Sequence, residues 1–231
     1  MTEVVAINGS PRMEKGRTAM ILDPFLDGMK GAGASVELFY TKRLDIRPCT
    51  GELICWEETP GKCYISDDMQ LLYHKLREAD ILVLATPVYM PLPGEMQNLM
   101  NRLVLLLDPI LEMRAGRTRA RFREDVRISK IALVSTCGWW EKGNFEVVLQ
   151  IAEELARNAS VDFAGALLRP HAYLLGEVEE KTRRVMDAAR QAGIQLVKEG
   201  KMSEETLEMV SQPLVSEEER NRRYGYITRG Q

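Results

Sequence analysis

Short apolar runs alternate with helix-patterned stretches along most of this chain. The runs that read as strands are 4–8, 35–40, 81–86, 131–135 and 163–168. The third, Ile81-Leu-Val-Leu-Ala-Thr86, and the fourth, Ile131-Ala-Leu-Val-Ser135, are apolar at consecutive positions. Central parallel strands have this pattern when helices cover both faces. Helical stretches fall between them at about 17–32, 67–78, 92–110, 144–158 and 178–198. On the first of these, Met20, Leu22, Phe25, Leu26 and Met29 form a stripe at helical spacing,. Ser66 and Asp67 precede the second as a helix cap,. Five strands with helices between most of them predict an α/β fold, a three-layer sandwich around an open parallel sheet. The natural strand order is 2-1-3-4-5, and ligands then bind outside the carboxyl ends of the strands, where the order reverses.

Two segments fall outside the alternation. Residues 41–66 form a Cys/Trp/Pro-containing insertion, and 112–127 form a basic connection before the fourth strand. The expected organisation is one domain over 1–200 and a helical tail over 201–231, with short polar helices near 203–211 and 216–224. At 231 residues the chain can bury a large core, and 45% hydrophobic with 28% charged residues is ordinary for a globular protein,. A net charge of −3 carries no footprint for nucleic acid or a membrane surface,. No apolar stretch approaches the length needed to span a bilayer. The N-terminus reads straight into a strand without a leader pattern, so a cytoplasmic protein is expected.

The stretch that carries the most chemistry is 4–22. A β-branched run ends in Asn8-Gly9-Ser10-Pro11-Arg12, and a helical pattern opens at Gly16-Arg17-Thr18. A strand–loop–helix junction leaves backbone N–H groups without partners at the positive end of the helix dipole, which makes an anion site. The Ser10 and Thr18 hydroxyls and the Arg12 and Arg17 guanidinia suit a phosphate. The loop has neither G-x-G-x-x-G nor Gly-Lys-Ser/Thr,, so a monophosphate such as that of FMN is a better guess than a pyrophosphate.

Two further loops are expected at the same crevice. After the third strand, Thr86-Pro87-Val88-Tyr89-Met90-Pro91 offers a turn stiffened by two prolines and an aromatic side chain. After the fourth, Ser135-Thr136-Cys137-Gly138-Trp139-Trp140 offers a glycine for close approach and two aromatic faces,. Together the three loops suit a phosphorylated planar cofactor.

With GSPR…GRT at the first loop, DDM at 67–69, ADILVLATPVY at 79–89, STCG at 135–138 and AGALLRP at 164–170, the chain resembles the flavodoxin-like NAD(P)H-dependent FMN reductase family. It looks nearest to the branch of iron–sulfur flavoproteins and their cluster-free relatives. The resemblance covers most of residues 3–200. It implies a flavodoxin-like sandwich with FMN bound non-covalently at the interface of a homodimer or homotetramer. By position, Ser10, Arg12, Gly16, Arg17 and Thr18 would hold the phosphate. Thr86 and Pro87 to Met90 would meet the isoalloxazine and ribityl chain, and Ser135 to Trp139 would flank the ring. Arg17 stands where the family commonly has Asn, which keeps a donor and adds charge. The implied activity is hydride transfer from NAD(P)H to flavin and electron transfer on to a quinone, nitro or azo compound, free flavin or a protein. No side chain is assigned as a catalytic acid or base. The alternative is an electron-transfer flavoprotein with little NAD(P)H activity.

Cys49, Cys55 and Cys63 lie where iron–sulfur flavoproteins carry C-x2-C-x2-C…C, with Glu52 at the second ligand position. A [4Fe–4S] cluster normally takes four thiolates, and Cys137 belongs to the flavin-side loop. Carboxylate ligation by Glu52 and zinc on three cysteines are alternatives. The expectation is a metal-free insertion whose thiols pack, beside a flavin that works without a cluster. The arginines between 114 and 127 read as a solvated loop or an oligomer contact, with docking of the NADPH 2′-phosphate on Arg117 and Arg119 as the alternative. His74 and His171 read as structural or surface residues.

Overall fold

A computed structural model describes residues 1–223. Its main sheet contains β1 (Glu3–Asn8), β2 (Ser35–Tyr40), β3 (Ile81–Pro87), β6 (Lys130–Thr136) and β7 (Asp162–Arg169). Their order is β2-β1-β3-β6-β7, with every neighbouring pair parallel. Counted within this sheet, that is the order 2-1-3-4-5 expected from the pattern. The edge strand β2 is only half-buried, while β3 and β6 are buried almost throughout.

The helices are α1 (Arg17–Gly31), α2 (Ile54–Glu57), α3 (Met69–Glu78), α4 (Gly94–Arg102), α5 (Glu146–Ala159), α6 (Glu179–Glu199), α7 (Glu204–Ser211) and α8 (Glu217–Arg223). Alternate strand residues feed two apolar layers. Val4, Ala6 and Val83 pack with Ile21, Phe25 and Met29 of α1 and Ala189 and Leu196 of α6. Val5, Ile7, Leu82 and Leu133 pack with α3, α4 and α5 on the other face. This explains why the central strands read as continuous apolar runs. Val210, Leu214 and Val215 of the tail join the α1/α6 layer. Arg169 at the end of β7 holds them there, its Nη1 donating to the carbonyls of Val210 and Gln212 at 2.8 Å each. The last part of the expected tail, 224–231, lies outside the described residues.

One expectation is corrected. The helical stretch read as 92–110 stops at Arg102, passes through a 3-10 turn at Leu103–Leu106, and becomes β4 (Leu107–Arg114). Pro109 cannot continue the helix, because it lacks an N–H and its ring clashes with the preceding turn. β4 pairs antiparallel with β5 (Arg117–Phe122), so most of the basic connection is a hairpin. The two-residue loop Ala115-Gly116 has positive φ at both positions (48° and 73°), as the twist-matched hairpin turn requires.

Candidate active site

The carboxyl ends of β1, β3, β6 and β7 open onto a cleft of about 230 Å³. Ser10, Arg12, Gly16, Arg17, Thr18, Pro87, Val88, Tyr89, Thr136, Cys137 and Gly138 line it, all of them positions singled out in the sequence. Ala172 and Tyr173 complete the wall.

The first loop builds the floor. The Ser10 N–H donates to the Asn8 side chain at 2.9 Å and Met13 N–H to the Ser10 carbonyl at 2.9 Å, which folds the chain back before α1. Among the described residues no side chain caps α1; the Ala19 N–H donates to the Gly16 carbonyl at 3.2 Å, while the Arg17 and Thr18 N–H groups are left for an external acceptor. Gly16 has an extended backbone (φ −79°, ψ 153°), and a Cβ there would come within 2.6 Å of Ser10 Oγ. Its hydrogen therefore makes room for the Ser10 hydroxyl at the floor. Arg12 is exposed, and among the described residues its guanidinium has no ion-pair partner. Arg17 lines the cleft while its Nη1 donates to the Leu175 carbonyl at 2.5 Å, so part of its donor set is already engaged.

The other loops are tied to this floor. Thr18 Oγ1 and Thr136 Oγ1 are 2.8 Å apart and buried, joining the start of α1 to the end of β6. Val88 N–H donates to the Thr136 carbonyl at 2.9 Å, and Ala172 N–H to the Cys137 carbonyl at 2.9 Å. Thr86 and Ser135 lie beneath the cleft: Ser135 Oγ donates to the Thr86 carbonyl at 2.8 Å, and both side chains are buried. Met90 and Trp139 stand at the rim, 98% and 61% exposed, beside half-exposed Tyr89 and Tyr173. Trp140 turns away from the cleft. Its ring packs against His171 at 4.6 Å and under the Arg220 guanidinium. Cys137 is buried, and this burial pushes its thiol pKa up, so it remains a neutral neighbour of the cleft.

Ala172 and Tyr173 were not anticipated. Their signal was available, since the fifth strand adjoins the fourth in the sheet and its end must reach the same crevice. Gly138 admits Tyr173: a Cβ there would stand 2.7 Å from the tyrosine ring.

The insertion and the basic hairpin take definite positions. Asp67 and Arg102 form a buried ion pair, with Arg102 Nη1 2.7 Å from Asp67 Oδ2 and both side chains at most 1% exposed. Burial works to raise the Asp67 pKa, but hydrogen bonds from Arg102 and from the N–H groups of Arg47 and Met69 hold it below the usual range. Asp67 thus holds the first turn of α3 through Met69 N–H, as expected of a cap, and also anchors α4. Cys49, Glu52, Cys55 and Cys63 line one small pocket with Arg102, Tyr64 and Tyr73. Burial, then the neighbouring Cys63 and Cys49, pushes the Cys55 thiol pKa up. In the basic run, Arg119 and Arg117 lie 3.0 and 3.7 Å from Glu154, Arg127 pairs with Asp80, and Arg123 donates to the Leu105 carbonyl. Most of its charge is met within the chain. Among the described residues no helix is long and apolar enough to cross a membrane.

Comparison with known proteins places this geometry. The family described as NADPH-dependent FMN reductase matches residues 2–161. An iron–sulfur flavoprotein of Methanocaldococcus jannaschii is 35% identical over 101 residues, which is 43% of this chain and 51% of that protein. The chain thus spans about half the length of the curated relatives it matches. Among solved structures, an NAD(P)H:quinone oxidoreductase from Methanothermobacter marburgensis superposes with a TM-score of 0.58 at 17% identity, covering 84% of this chain and 96% of that one. An FMN-dependent NADH-azoreductase from Bacillus anthracis superposes with a TM-score of 0.59 at 10% identity, covering 86% of this chain and 100% of that one. At these identities the structural likeness speaks for the fold.

Proposed function

The chain belongs to the NADPH-dependent FMN reductase family, and on that premise we propose that it is an FMN-dependent oxidoreductase that takes hydride from NAD(P)H and passes electrons to a small-molecule or protein acceptor. The observation that carries the reading is the cleft itself. The N-terminus of α1, the Ser10 hydroxyl and the exposed Arg12 guanidinium meet there with the stiff Pro87–Val88–Tyr89 turn and the Thr136–Cys137–Gly138 loop. The first three bind a phosphate dianion, and the two loops form walls for a flat ring.

FMN, when bound, supplies the hydride acceptance and electron storage that no side chain offers. The chain contributes binding and orientation. Ser10, Arg12 and Thr18, with the first N–H groups of α1, fix the phosphate end. The buried Thr18–Thr136 bond keeps that end in register with the ring-side loop. The N–H groups of Val88, Tyr89, Cys137 and Trp139 are engaged within the chain, so those of Met90 and Gly138, without an acceptor among the described residues, would be the donors for negative charge on a reduced ring. Tyr89, Met90, Trp139 and Tyr173 leave a broad exposed rim. A second copy of the chain covering that rim, in a homodimer or homotetramer, would exclude water from the ring.

The test is a visible spectrum of the purified protein followed by stopped-flow reduction with NADPH and with NADH. Flavin bands that bleach rapidly with either nucleotide are expected. Colourless protein that fails to bind added FMN would overturn the reading. A second reading, an electron-transfer flavoprotein of the iron–sulfur type with little NAD(P)H activity, is favoured by one observation: three cysteines share a single pocket with Glu52. Slow reduction by both nucleotides, together with bound iron and acid-labile sulfide, would select it.

A further inference from the structure

We propose that Cys55 and Cys63 are a redox-active dithiol, which small-molecule disulfides close into a Cys55–Cys63 bridge and which thiols reopen.

The chain between the two cysteines is folded back on itself. The Gly61 N–H donates to the Cys55 carbonyl at 3.0 Å, and the Lys62 N–H to the Thr59 carbonyl at 2.9 Å. Thr59 Oγ1 returns a bond to the Lys62 carbonyl at 3.0 Å, and Gly61 turns the backbone with a φ of 76°. Cys63 follows directly on this turn. The loop is also fastened from outside. Arg77 Nη2 donates to the Gly61 carbonyl at 2.9 Å, Arg123 Nη2 to the Cys55 carbonyl at 3.2 Å, and Trp56 Nε1 to the Val104 carbonyl at 2.9 Å. The two cysteines are thus held near each other before any oxidation, and little chain entropy remains to be lost on closing the bridge.

The thiols share one environment. Both are half-buried and line a pocket of about 20 Å³, which has room for about one water. Both pack against the apolar layer under α3, α4 and α5. Cys49 lines the pocket too, but acts on Cys55 less strongly than Cys63 does: burial first, then Cys63, then Cys49 push the Cys55 thiol pKa up. Among the described residues no three His, Cys, Asp or Glu side chains could hold a metal ion. A disulfide needs only two.

The reaction is thiol–disulfide exchange. Burial keeps the Cys55 thiol protonated, so the exchange begins at Cys63. Its sulfur gives up its proton, attacks one sulfur of the added disulfide, and expels the first thiolate. The pocket is too small to house the resulting mixed disulfide. Cys55 then loses its proton, attacks Cys63 Sγ and expels the second thiolate. Two protein thiols are oxidised, one disulfide is reduced, and the two protons end on the two released thiols.

The test is to treat the purified full chain, with its bound flavin, with glutathione disulfide under argon, and to map the cysteines by mass spectrometry of a non-reducing digest. Free thiols titrated in denaturant should fall from four to two, with Cys55 linked to Cys63, and dithiothreitol should restore all four. Oxidation should raise the melting temperature by about 5–10 °C, as expected for closing a short loop in a chain of this size. Cys49→Ser should respond as wild type does, and Cys55→Ser and Cys63→Ser should show no rise. FMN titration and the melt of the reduced forms check that these variants fold, and the wild-type digest decides the pairing without them. Four free thiols after treatment, a lasting glutathione adduct, or a bridge through Cys49 or between two chains would each overturn the proposal. Iron and acid-labile sulfide occupying these thiols in anaerobically purified protein would overturn it in favour of the second reading above. None of these outcomes touches the flavin reading, which the FMN titration tests separately.

Discussion

Replacing Gly16 with alanine isolates the phosphate cradle from the stability of the fold. Gly16 sits at φ −79° and ψ 153°, a backbone conformation open to any residue, so alanine brings no dihedral strain. Loss of chain entropy in the unfolded state would by itself favour alanine by about 0.4–1 kcal/mol. The cost is local: the new Cβ would stand 2.6 Å from Ser10 Oγ and 3.2 Å from the Met13 carbonyl oxygen. The hydroxyl is the atom free to move, so Gly16→Ala displaces it from the cleft. A hydrogen bond to a charged group contributes about 1.5–3 kcal/mol, so FMN should bind about 10- to 100-fold more weakly. Quenching of FMN fluorescence on titration with apoprotein measures the change, and a urea melt checks that the fold is intact. The double variant decides the mechanism. In Ser10→Ala protein the clashing oxygen is gone, so adding Gly16→Ala should cost little further affinity. Wild-type affinity in Gly16→Ala, or a full loss that persists in the Ser10→Ala background, would refute the argument.

Further outcomes follow from the same contacts. Asp67→Asn leaves Arg102 buried without its countercharge and should lower unfolding free energy by about 3–5 kcal/mol in urea melts, with FMN affinity unchanged. Thr136→Val strands the buried Thr18 hydroxyl and should cost about 1–3 kcal/mol of stability, with weaker FMN binding in the same titration. Burial, then Arg169 and Arg220, lowers the His171 pKa. The unfolded chain therefore takes up this proton near pH 6.5 while the folded chain resists it. That stability is complete above the unfolded pKa and is lost as pH falls through the folded one, so the melting temperature should fall less steeply below pH 6.5 in His171→Gln than in wild type. Arg117→Ala and Arg119→Ala should leave the KM for NADPH unchanged in steady-state assays, because Glu154 faces both guanidinia.

The sheet and the phosphate loop were legible from local pattern because each rests on short-range physics. β-branched apolar runs and helical stripes placed the five parallel strands and α1. The lack of dinucleotide and Walker glycines in the loop before α1 narrowed the ligand expected there. The limit of local pattern shows at 103–122. Val104-Leu-Leu-Leu107 fits a helix stripe and a strand equally well, and Ala115 gives no sign that it will take a left-handed turn. The hairpin forms because it can cover Ala120 and Phe122 against the α3/α4/α5 layer, a contact absent from any sequence window.

Candidate site residues divide in the same way. Ser10, Gly16, Thr18, Pro87 and Gly138 carried visible signals, because a turn or a helix start demands such residues locally. Tyr173 reaches the cleft only because β7 adjoins β6. Arg102 meets Asp67 across 35 positions of sequence, and it lines the cysteine pocket only because α4 packs beside the insertion. By itself the sequence determined the layer architecture and the anion-binding character of the first loop, since both follow from periodicity and backbone hydrogen bonding over a few residues. The tertiary structure alone decided which distant side chains share a pocket, because burial and charge pairing act between segments that only the packed fold brings together.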